Sequence, residues 1–235
     1  MKSDASQFNL LPLAIAFASG LSASTASAVV IAANGLNNST TFNSVNANLT
    51  TTVGTNTGSG YSTLGMTEGT HWMFFTNTTT TNTATPTVSN IRFSFSLTPA
   101  SGYGITLDVT DSVTWDIGAY ADSAAAGGLI FYSRMYISDT SNFSNILATS
   151  SVYSITALSN STSVSNTTPT IGSSITNHTG PLYFGFAFGD NSTSGNKSGR
   201  LDNIVINGTV SAVPEPDAAL LGGLGLLALL RRRRS

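Results

Sequence analysis

Catalysis by proton transfer or by a nucleophile needs a titratable side chain held beside the reacting atom, and this chain offers two histidines, His71 and His178, and no cysteine. His71 opens the apolar run Trp72-Met73-Phe74-Phe75, which reads as a strand edge. His178 lies in a Ser/Thr stretch with no acid nearby, and the Gly-x-Ser-x-Gly signature of a nucleophile elbow is absent. Neither histidine stands at metal spacing from an Asp or Glu, so zinc is not expected. A pair of carboxylates is the requirement for glycoside hydrolysis. Asp108, Asp111, Asp116 and Asp122 lie close in sequence, but Asp108 and Asp116 fall on the polar phase of alternating segments and Asp111 in the turn between them. Solvated strand faces and a turn account for them. Calcium suits this chain better than hydrolysis, because oxygen ligands abound. Asp202 on its own reads as an aspartate that caps a turn or pairs with Arg200. Trp72, Trp115, Tyr103, Tyr120, Tyr132 and Tyr136 are candidates for stacking on sugar rings where exposed. Trp115 shares the phase of Val113 and Ile117 and is expected in the core. Tyr132 and Tyr136 oppose Phe131 and Met135, so either one set faces water or the strand is covered on both sides.

Strands must position these groups. Ile91, Phe93, Phe95 and Leu97 alternate with Arg92, Ser94 and Ser96, a period of two. The same pattern returns in Tyr103 to Val109, Val113 to Ala119, Leu129 to Ile137, Val152 to Leu158, Leu182 to Phe188 and Ile204 to Val210. Ser101-Gly102 and Asp111-Ser112 supply turns. No segment here carries a helical stripe, and short strands between polar turns predict an all-β, antiparallel β-sandwich of jelly-roll type. Segments 37–62, 76–87 and 159–179 are rich in Ser, Thr, Asn and Gly and read as loops or weakly specified strands. The Thr78 to Thr81 tract lacks the sustained period that an ice-binding array requires.

Only 9% of the 235 residues are charged, against roughly 25% in an ordinary soluble domain. The region between Val29 and Val213 has Arg92, Arg134, Lys197 and Arg200 as its only basic residues, against Glu68 and seven aspartates. Nucleic-acid binding needs clustered cations, so that class is set aside. Without cysteine the fold holds by packing alone.

Both ends read as addresses. Lys2, the apolar stretch Leu10 to Leu21 and the small residues ending Ala26-Ser27-Ala28 follow the order of a secretory signal peptide, with Ala26 and Ala28 at the cleavage site and signal peptidase as the processing partner. At the other end, Pro214, Glu215 and Pro216 precede thirteen apolar residues, Ala218 to Leu230, and then Arg231, Arg232, Arg233 and Arg234. As a helix the run spans about 20 Å, short of the roughly 30 Å hydrocarbon core. The arginines hold its far end on the cytoplasmic side. This predicts a short transmembrane helix with the body outside, and three parts: signal peptide 1–28, sandwich 29–212, tail 213–235.

The tail resembles the PEP-CTERM sorting signal of Gram-negative bacteria, with Pro214, Glu215 and Pro216 as the motif and Arg231 to Arg234 as the basic stop. The resemblance implies an exosortase partner that cuts near the motif, a transient membrane anchor, delivery to the cell surface, and a link to exopolysaccharide or biofilm. Tyr136 to Phe143 and Gly199 to Ile204 resemble segments of galactose-binding-like and concanavalin-like sandwiches, and this resemblance makes Asp202 the first position to test for a bound calcium. The reading is therefore an exported, non-enzymatic structural or adhesive protein without a cofactor. Its alternative is a lectin-like carbohydrate-binding module, calcium-dependent, that engages extracellular polysaccharide.

Overall fold

The structure, a computed structural model, describes residues 28–36, 40–56, 60–62, 72–76, 81–110, 113–121, 129–156, 161–167, 170–191, 197–213 and 231. Residues 1–27 with Ala26, then His71, Thr78 to Thr80, Asp111, Asp122 and the tail from Pro214 onward, Arg231 apart, lie outside the described residues. Ala28 and Arg231 are exposed. Among the described residues no helix is long and apolar enough to cross a membrane.

The strands in chain order are β1 (Val29–Asn34), β2 (Ser44–Val45), β3 (Leu49–Asn56), β4 (Gly60–Ser62), β5 (Trp72–Thr76), β6 (Thr81–Asn82), β7 (Ile91–Pro99) and β8 (Tyr103–Leu107). They continue as β9 (Val113–Ala121), β10 (Ile130–Ser138), β11 (Ile146–Thr149), β12 (Tyr153–Thr156), β13 (Ser161–Thr167), β14 (Ile175–His178), β15 (Leu182–Asp190) and β16 (Lys197–Ala212). One sheet runs β13-β9-β16-β1-β2, with β5 and β8 also on β16, β4 on β5 and β14 on β8. The other runs β11-β10-β15-β7-β3, with β12 on β10 and β6 on β15. All pairings between these strands are antiparallel except the short β6 beside β15.

The inner faces meet in one apolar cluster that draws Ile31, Ile105, Val113, Trp115, Leu201, Ile204 and Ile206 from the first sheet and Phe93, Phe95, Leu97, Met135, Phe184 and Phe186 from the second. Period-two alternation explains the arrangement: in β7 and β15 every second residue is Phe or Leu, and these side chains face the opposite sheet. Phe95 stacks on Phe184 with centroids 5.0 Å apart, and the Trp115 ring meets Phe186 edge-on at 5.2 Å. Each such aromatic is worth about 1.5–3 kcal/mol of burial. Trp115 is fully buried, as its phase requires.

Three features differ from, or sharpen, the sequence expectation. The Thr-rich stretch Leu49–Asn56 is the edge strand β3, and Ser161–Thr167 is the edge strand β13. An edge strand pairs on one side and needs few apolar contacts, so sparse hydrophobicity suffices. The last strand starts at Lys197, seven residues before Ile204. Its phase inverts at a bulge: Leu201 and then Ile204 and Ile206 are buried, with Asn203 between them in the left-handed region at φ 46. Finally, β10 is covered on both faces near its end. Tyr136, Ile91, Phe143 and Ala187 form a second apolar cluster on the outer face of its sheet, and the Tyr136 hydroxyl donates to Pro86 O at 2.7 Å.

Candidate functional site

A recess of about 370 Å³ opens on the outer face of the sheet that contains β3, β7 and β15. Strand pairing builds it. Thr52 of β3 stands opposite Ser96 of β7, which stands opposite Tyr183 of β15, so three hydroxyl side chains form a row across three strands. One step along, β3 carries a bulge: Val53 pairs with Phe95 and Asn56 with Phe93, so β3 spends one residue more than β7 over this interval. The bulged amide is satisfied locally, because Thr55 N–H donates to Ser94 Oγ at 2.7 Å. Gly54 sits over the same serine, and a Cβ there would lie 2.6 Å from Ser94 Oγ, so the recess keeps its depth because position 54 has no side chain. Ser141, on the loop that carries Phe143 onto the sheet, lines the other side. None of the described residues that line the recess is an Asp, Glu, Lys, Arg or His.

The second cluster lies at the bulge of β16. Asp202 and Asp116 are partners across the β16–β9 ladder. Asn203 links them: its backbone N–H donates to Asp202 Oδ1 at 2.8 Å and its side-chain amide donates to Asp116 Oδ2 at 2.7 Å. Asp202 is fully buried, and its Oδ2 accepts no hydrogen bond from a described group. Burial pushes its carboxyl up to about 7, the Asn203 N–H pulls the other way, and the negative charge of Asp116 adds to the rise. Of the roles expected for Asp202, the turn-capping one is realised at Asn203. Two carboxylates do not make a metal centre, and among the described residues no group of three or more His, Asp or Glu is placed to hold an ion.

The remaining sequence candidates are scattered. Asp108 is exposed beyond β8, and Asp116 is half-buried on the outer face of β9. His178 ends β14 with Nε2 3.3 Å from Pro181 O. Tyr103 and Tyr132 are half-buried. Tyr136 is buried with Arg134 above its ring at 5.3 Å, so it is no open sugar platform. The backbones of Trp72 and Tyr120 lie in β5 and β9. The recess and its Tyr183 were not singled out from sequence, because a row of hydroxyls across three strands becomes visible only when the register is known.

The class defined so far is a two-sheet all-β body followed by a short apolar, arginine-capped tail. Residues 212–234 match the PEP-CTERM protein-sorting motif. No curated protein matches the chain. Among solved structures it is similar to an arabinose-bound α-L-arabinofuranosidase, at 10% identity and TM-score 0.37, over 68% of this chain and 23% of that one. It is similar to a carbohydrate-binding module of the β-sandwich superfamily, at 15% identity and TM-score 0.32, over 67% of this chain and 53% of that one. A third likeness is to the xylohexaose-bound CBM22-1–GH10 modules of Clostridium thermocellum xylanase 10B, at 11% identity and TM-score 0.30, over 80% of this chain and 30% of that one. The chain thus spans between about a quarter and about half of these structures.

Proposed function

We propose that this chain is an exported protein of a Gram-negative envelope, held briefly in the inner membrane by its tail, cut by an exosortase and passed to the cell surface or extracellular matrix. There it serves as a non-enzymatic structural or adhesive component associated with exopolysaccharide and biofilm. The observation that carries this reading is the sorting motif at residues 212–234 joined directly to the last strand of the body, which ends at Ala212. Two further features support it. The first strand begins at Val29, so cleavage by signal peptidase after Ala28 leaves β1 whole. The sandwich, jelly-roll-like in our reading, contains no cysteine and therefore no disulfide that export would have to form.

The test follows the chain in a host with an exosortase and in the same host with that gene deleted. The expected product is a shortened protein at the surface of the first and a full-length, membrane-bound one in the second. Recovery of the intact chain from the inner membrane of the exosortase-bearing host overturns the reading.

A second reading is favoured by the uncharged, hydroxyl-lined recess: the body binds carbohydrate. The calcium dependence expected with it finds, among the described residues, only the Asp202–Asp116 pair, which falls short of an ion site.

A further inference from the structure

We infer that the recess between β3, β7, β15 and the Ser141 loop is the site of binding, that its ligand is an uncharged glycan, and that Tyr183 and Thr52 are its two principal contacts; the inference rests on the carbohydrate-binding reading of the body.

Availability of the polar groups comes first. The hydroxyls of Thr52, Ser96, Ser141 and Tyr183 line the recess. None of the four donates to or accepts from another described group, in contrast to Ser138 or Ser150, whose hydroxyls are committed to neighbouring carbonyls. Ser94 accepts the Thr55 N–H, and its own proton remains to be donated. A hydroxyl gives one proton and accepts through two lone pairs, so this lining matches a ligand that is itself a set of hydroxyls, each both donor and acceptor.

Charge selects within that class. With no ionised side chain among the described lining residues, an anionic polysaccharide, a phosphate ester or a charged peptide would leave its charge without a counter-ion while losing water, which is costly. An uncharged polyol incurs no such penalty.

Shape supplies the remainder. The volume, about 370 Å³, falls near the lower end of the range for small-ligand sites, roughly 300–1,000 Å³. That suits a short stretch of chain lying in an open groove. Tyr183 is half-buried, and its ring is braced against the outer apolar cluster of Ile91, Tyr136, Phe143 and Ala187. A ring already ordered by its neighbours loses little freedom on binding and offers an apolar surface with a polar tip.

The experiment uses the full chain in detergent, run through native gels that contain xylan, mixed-linkage β-glucan, glucomannan or dextran, with alginate as the anionic comparison. Retardation by at least one neutral polysaccharide and none by alginate is expected. In the retarding gel, Tyr183→Ala is expected to bind about tenfold more weakly and Thr52→Ala about threefold, the loss of a ring contact and of one hydrogen bond respectively. Thr50→Ala, on the same strand but outside the recess, is expected to bind as the parent does. Tyr183→Phe keeps the ring and its packing, so an intermediate loss in this variant separates a binding role from a folding defect. If no glycan, alginate included, retards the parent, the carbohydrate reading fails and the site fails with it. If the parent is retarded and the Tyr183 and Thr52 variants are retarded equally, carbohydrate binding stands and this site is wrong. Retardation by alginate alone overturns the charge argument.

Discussion

Val213 donates its backbone N–H to the carbonyl of Gly102 at 2.8 Å. This bond extends the β16–β8 ladder, in which Ala212 pairs with Tyr103, by one residue beyond the strand. The next residue is Pro214, the first of the sorting motif. The folded body therefore reaches to the motif with no slack, and only residues 214–217 separate Val213 from the apolar run that starts at Ala218. Four extended residues span about 13 Å. On the proposed route, a membrane-embedded exosortase would have to reach the motif inside that gap or against a peeled strand end.

Insertion of a flexible Gly/Ser segment between Val213 and Pro214 is expected to accelerate processing, because it moves the sandwich away from the cut. Pulse-chase labelling in an exosortase-bearing host reads the rate. An unchanged or slower rate would show that the attached body does not limit access.

The parts of the fold that were legible in the sequence are those with one dry face and no irregularity. Leu182-Tyr183-Phe184-Gly185-Phe186-Ala187-Phe188 states its alternation openly, and Phe93 to Leu97 does the same, whereas Ile91, expected on their face, crosses to the outer cluster at the register shift opposite Phe186 and Ala187. The first half of β16 was hidden because the left-handed Asn203 inverts the phase, so no single alternation runs from Gly199 to Ile206. The strand β3 was hidden for another reason: Thr50, Thr52, Gly54 and Thr55 are exposed residues of an edge. The recess inherits that silence. Its shape comes from a bulge, and a bulge is a property of two strands rather than of one segment. The buried state of Asp202 belongs to the same group, since an aspartate in a Gly-Arg-Leu-Asp-Asn sequence gives no sign of its depth.

Asp202 makes stability depend on pH. Its carboxyl is raised from 3.8 to about 7 in the folded chain, chiefly by burial. Between these values the folded state binds the proton and the unfolded state does not, so stability decreases as pH rises across this window and levels off above it. One proton sets a limiting slope of about 1.4 kcal/mol per pH unit. Urea unfolding is expected to show a more stable protein at pH 5 than at pH 8. Asp202→Asn keeps an acceptor for the Asn203 N–H and removes the titration, and is expected to flatten this profile. A variant as steep as the parent would assign the dependence to another group.

Gly208 of β16 sits tightly against the backbone of β8. A Cβ at this position would stand 2.5 Å from the backbone oxygen of Thr106 and 2.8 Å from Leu107 Cδ2. Backbone cannot yield as a side-chain tip can, so Gly208→Ala is expected to cost roughly 1–3 kcal/mol and to loosen the pairing that continues to Val213. A lower urea midpoint, together with faster amide exchange at Ser211 and Val213, whose N–H groups face β8, checks it. Normal exchange there would separate the clash from the ladder.

The contact that locks the two sheets together is Phe186. It lies 5.2 Å from Trp115 in the facing sheet and 6.3 Å from both Phe93 and Phe95 in its own. Phe186→Ala removes a fully buried ring, and a cavity at such a junction is expected to cost about 3–5 kcal/mol. Phe186→Leu preserves most of the volume and is expected to lose roughly half as much, because dispersion is retained while the edge-on geometry with Trp115 is not. Denaturant midpoints for both variants give the comparison, and Trp115 fluorescence reports the same event at the ring. Equal losses for Ala and Leu would mean that aromatic geometry, rather than filled volume, fixes the sheets; a negligible loss for either would mean that the sandwich does not depend on this junction.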